Sequence, residues 1–148
     1  MAAPRLRQSA IVPAVEIREG NKTMPSRATL DAFIAMVESN QHDRAIAEFY
    51  AEDATMQENL NTPPRQGRDT LVAHERAVLA RAKTVETECV RPVLVDGDTV
   101  VIHWIFRFEF KDGSKRRIEE LAHQTWKGEK VWRERFYYDP AQMKTEAS

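Results

Sequence analysis

The chain has 148 residues, 22 of them basic and 23 acidic, and a net charge of −1. That length sets one domain, able to bury roughly 70% of its unfolded surface without a disulfide or metal staple. The mixed charge excludes the dense basic face that nucleic acid requires, and no apolar run of roughly 18 residues offers a membrane span.

A single cysteine, Cys89, excludes an internal disulfide and fits a cytoplasmic protein. Residues 1–24 are expected to form a flexible arm. Pro13 breaks their one apolar run, against a signal peptide, and Glu16 and Glu19 argue against a transit peptide. From Pro25 the pattern becomes regular. Ser26 is placed to cap a helix whose apolar face is Leu30, Phe33, Ile34 and Val37. Asp43 is placed to cap a second, short helix through Ala45, Ile46, Phe49 and Tyr50. Residues 51–59 predict a turn and a short strand, and residues 62–67, with two prolines and a glycine, an exposed loop. A third helix is predicted to about Lys83, with Leu71, His74, Val78 and Leu79 inward.

Four strands follow. The first covers residues 85–95, irregular around Pro92. In the second, residues 99–110, every even position is apolar, and Trp104, Phe106, Phe108 and Phe110 make one face aromatic. Asp112-Gly113 predicts a hairpin into residues 117–127, and Gly128-Glu129 another into residues 130–138. Three helices early and a strand meander late define an α+β domain over residues 25–141, with a tail at 142–148. Helices this short cannot fill a strongly curved antiparallel sheet, so a cone with an internal pocket is expected.

Three segments carry a resemblance. They are Tyr50-Ala51-Glu52-Asp53-Ala54-Thr55-Met56-Gln57-Glu58, Pro64-Arg65-Gln66-Gly67-Arg68-Asp69, and Trp126-Lys127-Gly128-Glu129-Lys130-Val131 with Phe136-Tyr137-Tyr138-Asp139-Pro140. In order and spacing the chain resembles the cystatin/nuclear transport factor 2-like superfamily, in its SnoaL-like branch, which includes polyketide cyclases and relatives of ketosteroid isomerase. The resemblance implies that Glu58 occupies the position of the isomerases' proton-transferring carboxylate. It also implies that their two oxyanion donors are replaced here by Phe33 and Ala122. Loss of one such donor costs roughly two to three powers of ten in rate, so dienolate isomerisation of the steroid type is not expected.

The register that turns Ala122 inward also turns in Glu120, Gln124 and Trp126, and in the last strand Trp132, Glu134, Phe136 and Tyr138. Carboxyl groups in an aromatic pocket are costly unless protonated, paired or wetted. The alternatives are a bulge that shifts the parity, or pairing with Arg76 or Arg81. His74 falls on the inward helical stripe, and imidazole is the side chain suited to proton transfer near neutral pH. The candidate catalytic groups are therefore Glu58, His74, Glu120 and Glu134. Phe33, Trp104, Phe106, Phe108, Gln124, Trp126, Phe136 and Tyr138 are candidates for substrate binding. His42 is expected to be solvated in a turn, and His103 and His123 to lie on the outer sheet face.

No metal-ligand spacing, dinucleotide fingerprint or nucleophile elbow is present, so no metal and no cofactor are expected. Val101, Ile105, Leu121, Val131 and Tyr137 make an apolar patch on the outer face, rimmed by charge, and a homodimer through it is expected. Three functional classes remain. They are a cofactor-free cyclase, isomerase or dehydratase acting on an apolar carbonyl compound, a non-catalytic pocket for an apolar ligand, and a protein-interaction module.

Overall fold

The computed structural model describes residues 24–60 and 62–144. Except for Met24, the expected arm lies outside them. Helix α1 (Arg27–Glu38) begins where Ser26 accepts a hydrogen bond from the Thr29 amide, and it buries Leu30, Phe33, Ile34 and Val37 as one stripe. Helix α2 (His42–Phe49) has Gln41 at its cap, without a side-chain bond. Asp43 lies in its first turn instead, where it pairs with Arg76 at 3.2 Å. Strand β1 (Tyr50–Glu58) then starts with no intervening turn. The expected loop contains a two-residue strand, β2 (Arg65–Gln66), paired with Thr55 and Met56. Two residues are too few to show alternation, so pattern alone missed it. Helix α3 (Arg68–Arg81) leads into β3 (Ala82–Asp96), β4 (Thr99–Phe110), β5 (Lys115–Lys127), β6 (Lys130–Tyr137) and a 3₁₀ turn (Pro140–Met143).

The strands form one curved sheet in the order β2-β1-β6-β5-β4-β3. Pairing is antiparallel except where β1 runs parallel to β6. Register breaks interrupt three of the ladders: β1/β6 after Tyr50, β3/β4 between Val90 and Leu94, and β5/β6 between Thr125 and Trp126. Such irregularities bend a strand and increase its twist, which is how a sheet is curled around a hollow.

The break in β5/β6 corrects the expected parity. Thr125 faces Arg133, but Trp126 faces Val131. One extra residue on β6 is thereby bulged out. Val131, expected on the outer face, is fully buried. Trp132, expected inside, is partly exposed beneath Lys127 and Arg133, whose charges lie 3.5 and 3.9 Å from its ring centre. Beyond the bulge the expected parity holds, so Glu134 is buried and Phe136 reaches the interior.

The core lies between the helices and the concave face. Phe33 meets Trp126 edge-on at 5.8 Å and packs on Phe49 and Tyr50. Along β4 the rings of Trp104, Phe106, Phe108 and Phe110 follow one another at 5.8, 6.4 and 5.6 Å. A second cluster, Phe108, Phe110 and Ile118, is covered by Val78 and Met143.

Candidate active site

A cavity of about 260 Å³ remains between the helices and the sheet. Its apolar wall is aromatic: Phe33 from α1, Trp104, Phe106 and Phe108 from β4, and Phe136 from β6. Period two aims the β4 rings at one face. Glu58, His74, Glu120 and Glu134 all line this one cavity.

The four are not alike. Glu134 is 4% exposed. One carboxylate oxygen accepts from the Tyr50 hydroxyl, the other from the Gln124 side-chain amide. The Gln124 carbonyl in turn accepts from the Trp126 indole N–H at 3.0 Å. Burial pushes the Glu134 carboxyl up to about 7, although the Tyr50 and Gln124 bonds favour its ionised form. Burial, then the facing Glu134, drives the Tyr50 hydroxyl well above its ordinary range.

Glu120 is half-buried and, among the described residues, receives no hydrogen bond. Burial first, then the nearby Glu134, Glu58 and Glu75, push its carboxyl up to about 8. This shift favours the protonated acid at neutral pH, in a cavity whose walls are largely aromatic. Neither Arg76 nor Arg81 pairs with it or with Glu134: Arg76 is engaged by Asp43, and Arg81 makes no ion pair among the described residues. Glu58 sits 3.6 Å from Arg65, partly exposed. His74 is exposed, with no hydrogen bond among the described residues, and marks the mouth on the α3 side.

Three of the candidate binding residues do not line the cavity. Gln124 and Trp126 are fully buried beneath it, where they anchor Glu134 and pack on Phe33. Tyr138 lies beyond the end of β6, and its amide bonds the Asn59 side chain at 3.1 Å. Strand parity places a side chain on a face, but it does not say whether another side chain covers it.

Other lining groups were not anticipated. His42, expected in solvent, is 7% exposed. Its ring edges against Phe106, its Nδ1 lies 3.3 Å from Glu75, and its Nε2 lies 2.7 Å from the Thr87 hydroxyl. The first turn of α2 is tucked against α3 and β3, a contact between residues up to 45 positions apart that no local pattern encodes. Tyr50, Arg65, Glu75, Arg81 and Arg116 complete the polar lining. A signal existed for two of these: Arg116 shares the parity of Glu120, and Arg81 lies seven residues after His74 on the same helical stripe.

This polar set can move protons. Burial raises two carboxyl groups toward neutrality, one held by hydrogen bonds and one with none among the described residues, beside a partly exposed carboxylate and an imidazole at the mouth. Among the described residues no cluster of histidine, cysteine or carboxylate groups is arranged to hold a metal.

The family model for the SnoaL-like domain matches residues 30–134, and the chain belongs to that family, within the nuclear transport factor 2-like superfamily. No curated protein matches the chain. Among solved structures, it is similar to a Mesorhizobium loti protein named as a SnoaL-like polyketide cyclase, at 21% identity and a TM-score of 0.63 over 75% of this chain and 97% of that one. A Catenulispora acidiphila protein with a ketosteroid isomerase-like fold, in complex with trimethylamine, is 17% identical with a TM-score of 0.65, over 79% and 89% of the two chains. TerC, co-crystallised with polyporic acid, is 14% identical with a TM-score of 0.62, over 77% and 91%. At these identities the likeness establishes the fold; activities vary widely on one fold.

Proposed function

We propose that the chain is a cofactor-free acid/base protein that moves protons on a small apolar carbonyl compound, as an isomerase, cyclase or dehydratase does. The observation that carries this reading is Glu120: a carboxyl pushed up to about 8, without a hydrogen-bond partner among the described residues, facing an aromatic cavity. A protonated acid in that position donates to the carbonyl oxygen of a bound ketone. Glu58, held beside Arg65, takes a proton from the adjacent carbon, and the C–H electron pair moves to give the enol. In an unsaturated ketone the enol is a dienol; return of the carbon-bound proton from Glu58 to its far carbon, with the O–H proton going back to Glu120, completes an isomerisation. His74, at the mouth, passes protons between this pair and solvent. Glu134 contributes to the electrostatic setting: after burial, it is the next cause that raises the Glu120 carboxyl. Phe33 and Ala122 supply no oxyanion donor, and the Tyr50 hydroxyl is already given to Glu134, whereas the Glu120 acid has a proton to give to a substrate oxygen.

The test needs no knowledge of the natural substrate. Deuterium uptake at the α-carbon of 2-tetralone in D₂O is followed by NMR. The reading expects exchange above the buffer rate that falls about 100-fold or more in Glu120→Gln. Binding of 2-tetralone with exchange at the buffer rate makes the cavity a non-catalytic binding site. Absence of both points to the interaction-module class.

The chain is further proposed to form a homodimer through the outer sheet face. Leu121 and Tyr137, paired across β5 and β6, are 45% and 40% exposed there. Val131 is no part of that patch. Light scattering that finds a 17.0 kDa species at micromolar concentration removes this proposal.

A further inference from the structure

At the mouth of the cavity two guanidinium groups stand without carboxylate partners. Arg81, from the last turn of α3, and Arg116, from the start of β5, lie 5.7 and 5.1 Å from the centre of the Phe110 ring. Neither forms an ion pair among the described residues, and the Nε of Arg116 is buried with no hydrogen-bond partner. The same two residues line the catalytic cavity and a neighbouring groove of about 500 Å³, which Lys111 also lines. Asp112 is the carboxylate of that groove, but it is turned back on its own loop, accepting from the Ser114 amide at 2.9 Å and the Ser114 hydroxyl at 2.6 Å. Burying cationic groups side by side without counter-charge is costly. That cost falls on Arg116, whose guanidinium is pulled below its ordinary range by burial and by Arg81.

We infer that Arg81 and Arg116 form a carboxylate-binding clamp at the cavity mouth, so that the ligand is an amphipathic organic acid whose apolar part occupies the aromatic cavity. The inference rests on the reading of the cavity as a small-molecule site and adds the ligand's charge and orientation. Guanidinium forks match a planar carboxylate in two parallel hydrogen bonds.

The topology fixes the direction. Arg116, Ile118 and Glu120 alternate down the inner face of β5, so the clamp and the acid lie on one track, about 13 Å apart at their backbones. His74, Val78 and Arg81 line the opposite side of the mouth on one stripe of α3. A ligand held by its carboxylate therefore points its far end at Glu120. The reacting carbonyl belongs several bonds from the acid group, not next to it.

Calorimetric titration with 2-naphthylacetate and with its neutral isostere, 2-naphthylacetamide, tests this on the wild-type chain and on Arg81→Gln, Arg116→Gln and Arg116→Lys. The inference expects the acid to bind the wild type about tenfold tighter than the amide, with a preference that falls as salt is added. Arg81→Gln and Arg116→Gln each reduce that preference to below about threefold, weakening the acid more than the amide, and Arg116→Lys keeps part of it. Arg81 is exposed, so its substitution leaves the fold intact and keeps the test valid should Arg116→Gln fail to fold. Equal affinities for acid and amide in the wild type overturn the clamp alone. A preference that survives both glutamine substitutions does the same. Failure of both compounds to bind overturns the clamp together with the small-molecule reading.

Discussion

At the closed end of the cone Phe33 and Trp126 meet edge-on, Val131 is fully buried, and Glu134 has each oxygen taken by a donor. At the open end Arg81 and Arg116 sit over Phe110 without an ion pair among the described residues, and further along β5 Glu120 has no hydrogen-bond partner among them. Both ends combine aromatic rings with ionisable groups. The difference is completion. Satisfied polar groups at the closed end make a rigid floor, since a fully paired buried network specifies one arrangement. Unpaired groups at the open end are available to a ligand.

This contrast can be broken most forcefully at the floor. Trp126→Ala is expected to cost about 3–5 kcal/mol of stability in urea denaturation, because the fully buried ring leaves a cavity against Phe33. A loss below about 1 kcal/mol would mean the closed end is not close-packed. Tyr50→Phe removes one of the two donors to Glu134 and is expected to cost about 1–3 kcal/mol. The loss is larger above about pH 7, where Glu134 is ionised, than below it, and denaturation at two pH values reads the difference.

The next effect belongs to pH. The folded Glu120 carboxyl titrates at about 8 against an ordinary 4.5. Between those values the unfolded chain has released the proton and the folded chain retains it, so stability falls as pH rises through that window. The loss is complete above about 8. Glu134, raised to about 7, adds a fall of the same sign over a narrower window. In Glu120→Gln the decline from about pH 5 to about pH 9 should be shallower by about 1–2 kcal/mol. Thermal melts across that range check it, and parallel curves for the two proteins would show that Glu120 ionises freely in the folded state. The smallest effect is at the mouth. Arg81→Gln should change stability by less than about 0.5 kcal/mol while removing the preference for an acidic ligand. A large destabilisation there would make Arg81 part of the scaffold.

The three helices, the hairpins at Asp112-Gly113 and Gly128-Glu129, and the aromatic face of β4 were legible because each depends on local rules: capping at Ser26, a period of 3.6, a period of two. The inward turn of Glu120 was legible for the same reason. Val131 and Trp132 were assigned to the wrong faces because one bulged residue exchanges the two sides of a strand, and nothing in the residues 125–132 announces where the bulge falls. His42 was assigned to solvent because its burial comes from α3 and β3, remote in sequence.

The order of residue types along the chain therefore determined which elements form and which residue classes face inward, since propensity and periodicity act over a few neighbouring residues. Only the tertiary structure decided which of the inward groups became floor and which became site. That division depends on the partners each carboxyl and guanidinium meets across the fold. Glu134 found Tyr50 and Gln124, whereas Glu120, Arg81 and Arg116 were left facing open space.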